Sequence, residues 1–204
     1  MKTFLLLMMF FLTSLLISSE MDKSLTLKKS SADSLRIVSH VFDDIDDDYM
    51  VAKIFFNYKQ RKDFKGLDDN LKRSYLDNFW SKNDPNPVTL KNEFVELIKS
   101  RIEYCNKFFS HFKDGWTTDR GRIYIKHGQP YEVIKEKSGL YARYGTKDYE
   151  IWKYRVDRYM TFIFFDIQTH GDYRLIYSDN DDRESSLPDW RDFLGEDFDE
   201  GILY

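Results

Sequence analysis

Apolar side chains recur at intervals of three and four across residues 67–81, where Leu67, Leu71, Tyr75, Leu76, Phe79 and Trp80 share one stripe. That spacing predicts an amphipathic helix. Asp84-Pro85-Asn86-Pro87 stops it, because proline lacks an N–H and holds the residue before it extended. A second helix is predicted from about Thr89 or Lys91 to Phe112. Phe94, Leu97, Ile98, Ile102, Cys105, Phe108, Phe109 and Phe112 form its broad apolar face, and Gly115 supplies the C-cap region.

Beyond Gly115 the period falls to two. Residues 122–126 read as a first strand, 149–154 as a second, 160–167 as a third and 173–177 as a fourth. His127-Gly128-Gln129-Pro130 reads as a turn, and His170-Gly171-Asp172 as a tight hairpin between the last two strands. The fold class is therefore α+β: a small, mostly antiparallel four-stranded sheet preceded and covered by two or three amphipathic helices.

The flanks are less patterned. Residues 20–42 read as a polar linker ending in a short apolar stretch, and residues 49–58 as a helix or extended segment. A short helix is expected around Trp190 and Phe193, within an acidic C-terminal tail of residues 181–204. The expected division is 1–19 signal peptide, 20–66 linker and lead-in, 67–180 the α+β domain, and 181–204 the tail.

Lys2 is followed by fourteen almost wholly apolar positions, 4–17, and then by Ser18 and Ser19. One positive charge, an apolar core and a small-residue exit are the layout of a secretory signal peptide, with cleavage expected near Ser19. A membrane-spanning helix needs roughly 20 apolar residues, so no stable transmembrane span is expected after cleavage. No cysteine follows the run, which excludes a lipid-bearing N-terminal cysteine. The single cysteine, Cys105, lies in the apolar stripe of the second helix and reads as core.

Removing that peptide takes the net charge from -4 to -5, with 30 Lys and Arg against 35 Asp and Glu. This argues against a nucleic-acid surface, which requires a basic excess. Aromatic residues make up 17% of the chain, so rings must fill much of the core or form a binding surface. The acidic runs 43–48 and 179–182 lack the glycine and terminal glutamate of a calcium loop and read as solvated. No zinc-protease, phosphate-loop, nucleophile-elbow or CxxC pattern occurs. No metal and no cofactor is expected.

The densest punctuation is Gly115-Trp116-Thr117-Thr118-Asp119-Arg120-Gly121-Arg122, followed by Gly128 and Pro130. Trp116 is expected to plug a helix-to-strand junction. Thr118 and Asp119 are expected to bond turn backbone, and Gly121 to give backbone freedom. Arg120 and Arg122 suit bidentate carboxylate pairing with Glu150 or Glu132.

This segment resembles the GWxTD domain family of bacterial envelope proteins. The resemblance extends from about 70 to 178. It takes in Phe79-Trp80, the Asp84-Pro85-Asn86-Pro87 breaker, Asn92-Glu93-Phe94, residues 122–126, Gly128-x-Pro130 and Tyr149-Glu150-Ile151-Trp152. It implies a fold and an envelope location, and no established chemistry.

The expectation that follows is an exported, noncatalytic envelope protein in the periplasm or cell envelope, binding an envelope protein or cell-surface component. The motif residues, with Tyr149, Glu150 and Trp152, are its binding or structural set. Trp152 and Tyr124 form a candidate aromatic platform. The alternative is a periplasmic hydrolase or carbohydrate-active enzyme using Asp119 or Glu150 with His127. It requires Asp119, Arg120, Arg122, His127, Tyr149 and Glu150 to converge at one end of the sheet.

Overall fold

In a computed structural model, residues 39–204 are described. The expected signal peptide and linker residues 20–38 lie outside the described residues. Side-chain oxygens open the helices that follow. Asp44 accepts from the N–H groups of Asp46 and Asp47 at 2.9 and 3.0 Å and starts α1 (Ile45–Ala52). Asn57 and Gln60 form a reciprocal capping box at the start of α2 (Tyr58–Lys65). Asp68 caps α3 (Asp69–Lys82), and Asn92 caps α4 (Glu93–Phe109). The last two are the helices expected from the three-and-four spacing, with the proline pair between them.

The next element overturns an expectation. Residues 122–126 are helical: α5 runs Asp119–His127, after a single 3-10 turn at Gly115–Thr117. The first strand comes later, as β1 (Glu132–Lys137), and is followed by β2 (Asp148–Arg155), β3 (Tyr159–Phe165) and β4 (Arg174–Asp179). The sheet is fully antiparallel in the order β1-β2-β3-β4, with Val133 opposite Trp152 and Lys135 opposite Glu150. The expected tight hairpin between the last two strands is a longer connection. In it the Asp166 carboxylate accepts from the N–H groups of His170 and Gly171 at 3.1 and 2.7 Å.

Alternation on the strands builds two apolar layers. Trp152, Tyr154, Phe162 and Phe164 face the helices and join Val51, Phe56, Trp80, Ile98, Cys105 and Ile123 in one cluster. Tyr149, Ile151, Ile163 and Phe165 face the other way and are covered by the C-terminal segment. There α6 (Trp190–Leu194) and a 3-10 turn (Glu200–Leu203) supply Trp190, Phe193, Leu194 and Leu203. Val41, Phe56 and Phe64, from before residue 67, belong to the helix-side cluster.

Two residues of the acidic runs are not solvated. Asp48 is fully buried; it accepts from Trp80 Nε1 at 2.8 Å and from the backbone N–H of Val41 and Phe42. The Asp181 side chain also has no exposed surface, and it accepts from Lys126 Nζ at 2.7 Å and contacts His127 Nε2 at 2.9 Å. Burial of either carboxylate would be costly without such donors. Arg183, next along, donates to the carbonyls of Lys53, Ile54 and Phe55, which binds the C-terminal segment to the end of α1.

Candidate functional site

The Gly115–Gly121 segment is a close-packed corner between α4 and α5. A methyl group on Gly115 would lie 1.9 Å from the Cys105 carbonyl oxygen, and one on Gly121 would lie 2.1 Å from the Gly115 carbonyl oxygen. Both glycines are therefore required by backbone-to-backbone approach. The Thr118 hydroxyl accepts from the Gly121 N–H at 2.9 Å and donates to the Gly115 carbonyl at 2.7 Å. It caps α5 and closes the preceding turn with one side chain. Trp116 is 7% exposed, and its ring packs 5.2 Å from that of Phe42. The junction it fills lies between two helices, not between helix and strand, because the residues after it continue as α5.

From this corner two side chains reach the sheet. Asp119 accepts from the Leu175 N–H in β4 at 2.9 Å and from Arg122 at 2.8 Å. Arg122 also pairs with Glu184. Arg120 is 8% exposed; it pairs with Glu150 in β2 at 3.4 Å and donates to the Gly171 carbonyl at 2.8 Å. Its guanidinium lies over the rings of Tyr173 and Phe109, 4.0 and 4.9 Å from their centroids. Of the two carboxylate partners expected for the arginines, Glu150 is used, while Glu132 pairs with Lys153. Gly128 ends α5 with φ of 80°, and its carbonyl accepts from the Tyr154 hydroxyl at 3.0 Å.

The six ionisable groups do not converge. Asp119 and His127 stand eight residues apart on one helix, about 12 Å along its axis. His127 is held by Asp181 at 2.9 Å, with its ring beside Tyr154 and Phe162. Glu150 is engaged by Arg120, by Lys135 at 3.0 Å and by Trp152 Nε1 at 2.9 Å. Tyr149 lies on the opposite face of the sheet, against Phe198. Asp119, His127 and Glu150 thus have separate partners and no common cleft. Among the described residues no group of three or more His, Cys, Asp or Glu is placed to hold a metal ion.

A hollow of about 300 Å³ opens on the far side of the Arg120–Glu150 pair, between α4, α5 and β1. Tyr104 and Tyr124 stack face to face at 4.4 Å, and Phe108 lies 4.4 Å from Tyr104. Trp152 and Val133 form the strand wall, with Lys135 and Glu150 at the polar end. Phe108 is 53% exposed and Val133 42%. Tyr124 and Trp152 were legible as a platform in the sequence. Tyr104, Phe108, Val133 and Lys135 were not, because Phe108 read as core of the second helix, Tyr104 falls outside that helix's apolar stripe, and the others preceded the expected second strand.

β1 borders this hollow and, among the described residues, no strand pairs with its outer edge. Ser138 donates to the Lys147 carbonyl at 2.8 Å, which fixes the phase of the β1–β2 ladder. Hydrogen-bonded and non-bonded pairs alternate, so Val133, Lys135 and Lys137 direct their N–H and C=O groups away from β2. At the other edge, Leu187 donates to the Ile176 carbonyl at 2.8 Å, and the Ser186 hydroxyl bonds both backbone groups of Ser178.

The family model of the GWxTD domain matches residues 25–191, and the chain belongs to that family. No curated protein and no solved structure matches it.

Proposed function

We propose that this GWxTD-domain chain is an exported, noncatalytic envelope protein that binds an extended segment of a partner protein along β1. Export is supported by the charged start, apolar core and Ser18-Ser19 exit of the first nineteen residues. Among the described residues no helix is long and apolar enough to cross a membrane.

The observation that carries the binding reading is the open β1 edge beside an aromatic hollow. Val133 and Lys135 lie opposite Trp152 and Glu150, so their side chains share the hollow's face of the sheet. A strand added to β1 would bond to the outward backbone of Val133, Lys135 and Lys137 and place alternate side chains into the hollow. Backbone bonding gives affinity in such additions, and the side-chain pocket gives specificity. A second copy of this chain fits poorly. The two antiparallel self-pairing registers with fullest overlap put Lys135 opposite itself or Glu132 opposite Glu136, and like charges directly opposite destabilise a pair.

The reading is tested by recovering partners from native envelope extracts with the chain from Glu20 onward, then repeating with Phe108→Asp and Tyr104→Ala. The expected result is a partner set retained by the unaltered chain and lost by both variants. Partners retained equally by all three would place binding elsewhere.

A further inference from the structure

The surface of α2 carries a second feature, independent of the hollow. Tyr58, Arg61, Lys62 and Lys65 occupy positions i, i+3, i+4 and i+7 of this helix, hence one stripe. They line an open depression of about 410 Å³. Phe64 alone of the eight residues is buried, so the helix is anchored by one ring and turns its basic stripe outward. Tyr58 is 78% exposed.

No carboxylate among the described residues forms an ion pair with this stripe, Asp63 of the same helix included. Among the described residues, Lys53, Lys59, Arg61, Lys62 and Lys65 form no ion pair, and four of these five lie within one two-turn helix. Lys53 stands close enough that, after burial, the charges of Lys65, Arg122 and Arg61 lower the affinity of its ammonium for its proton. Like charges three and four apart on a helix oppose one another. Here five cations are gathered on a chain whose net charge is -4.

We infer that the α2 stripe docks on the anionic headgroups of a phospholipid surface. Lys62 and Lys65 are exposed and have flexible stems, and no buried donor set closes around one anion. That arrangement suits a spread-out field of phosphates better than a single bound ion. The exposed Tyr58, apolar in its ring and polar at its tip, suits the boundary between headgroups and water. A peripheral contact of this kind needs no spanning helix.

The test is co-sedimentation of the chain from Glu20, which keeps every residue of both apolar clusters, with phosphatidylcholine vesicles with and without phosphatidylglycerol. Binding is expected to the anionic vesicles only, and to weaken as salt is raised. Arg61→Gln, Lys62→Gln and Lys65→Gln should each reduce partition about fivefold, and Tyr58→Ala should reduce it further. Thermal midpoints of the variants at the exposed Tyr58, Lys62 and Lys65 should not fall, which separates lost docking from lost folding. Phe108→Asp should partition as the unaltered chain does, so failure of the β1 reading leaves this one intact. Equal partition to neutral and anionic vesicles, or no effect of the charge substitutions, would overturn the inference. So would binding to soluble dextran sulfate with none to the vesicles.

Discussion

The backbone of Gly121 rests against the carbonyl oxygen of Gly115, so closely that a single added methyl would fall 2.1 Å from it. Gly115 in turn rests against the Cys105 carbonyl of α4, so the two contacts together make the beginning of α5 part of the same packed unit as the end of α4. Thr118 bonds both glycines, and Asp119 and Arg120 extend from the unit to β4 and β2. The motif holds a helical layer on a sheet, and Thr118, Asp119 and Arg120 all bond across it, with Arg120 Nε the one buried side-chain polar atom of the motif that has no hydrogen-bond partner.

Trp116 fills the corner against Phe42 and is 7% exposed. Trp116→Ala should cost about 3–5 kcal/mol, the range for removing a buried aromatic ring. Urea unfolding followed by circular dichroism measures it. An unchanged midpoint would mean that the ring contributes nothing to packing.

Arg120→Ala removes one partner of a buried pair and leaves Glu150, 4% exposed, with Lys135 and Trp152. A loss of about 3 kcal/mol is expected, at the lower end for breaking a buried pair because those two contacts persist. Arg120→Lys should not restore it, since an ammonium cannot span both Glu150 and the Gly171 carbonyl. Combined with Glu150→Gln, the losses should be non-additive by about 1 kcal/mol or more; strict additivity would count against a direct Arg120–Glu150 coupling.

Asp181 makes stability depend on acid pH. Burial alone pushes its carboxyl up, but hydrogen bonds from His127, Lys126 and the Arg183 N–H outweigh this and hold it well below the usual carboxylate range. A carboxyl depressed in the folded state contributes fully above its unfolded value of about 3.9, and that contribution is lost as pH falls through the folded value. The urea midpoint of the unaltered chain should therefore drop below about pH 4. The gap between it and Asp181→Asn should narrow over the same range. A gap constant down to pH of about 2 would remove Asp181 as the cause.

Much of this structure was legible where one face of an element is apolar. The spacing of Leu76, Phe79 and Trp80, and of Ile98, Ile102 and Cys105, marked α3 and α4, and alternation marked β2 to β4. α5 was misread because Ile123 and Ile125 are both fully buried. Two residues apart on a helix stand about 200° around its axis, so burial on nearly opposite sides mimics the period of a strand. Its ends carried the better signal: Thr118 and Asp119 at the start, Lys126, His127 and Gly128 at the finish. β1 was missed because an exposed edge strand, Glu-Val-Ile-Lys-Glu-Lys, has almost no buried face to pattern. Asp48 read as solvated because the donor that most specifies its burial, Trp80, lies 32 residues away.

The hollow was half legible for a related reason. Trp152 and Tyr124 stood out as rings near the motif, whereas Phe108 shares the spacing of α4's core residues and is 53% exposed. Spacing alone does not distinguish the edge of an apolar stripe from its centre.

The most direct measurement is the urea midpoint of Gly121→Ala. An added methyl meeting the Gly115 carbonyl forces α5 away from the Gly115–Thr117 turn that is packed on α4, so the loss should be roughly 3 kcal/mol or more, at or beyond the upper end for overpacking. Ala favours a helix interior by about 1 kcal/mol over Gly. Were the corner loosely packed, Gly121→Ala would leave the midpoint unchanged or raise it, and that result would contradict the account.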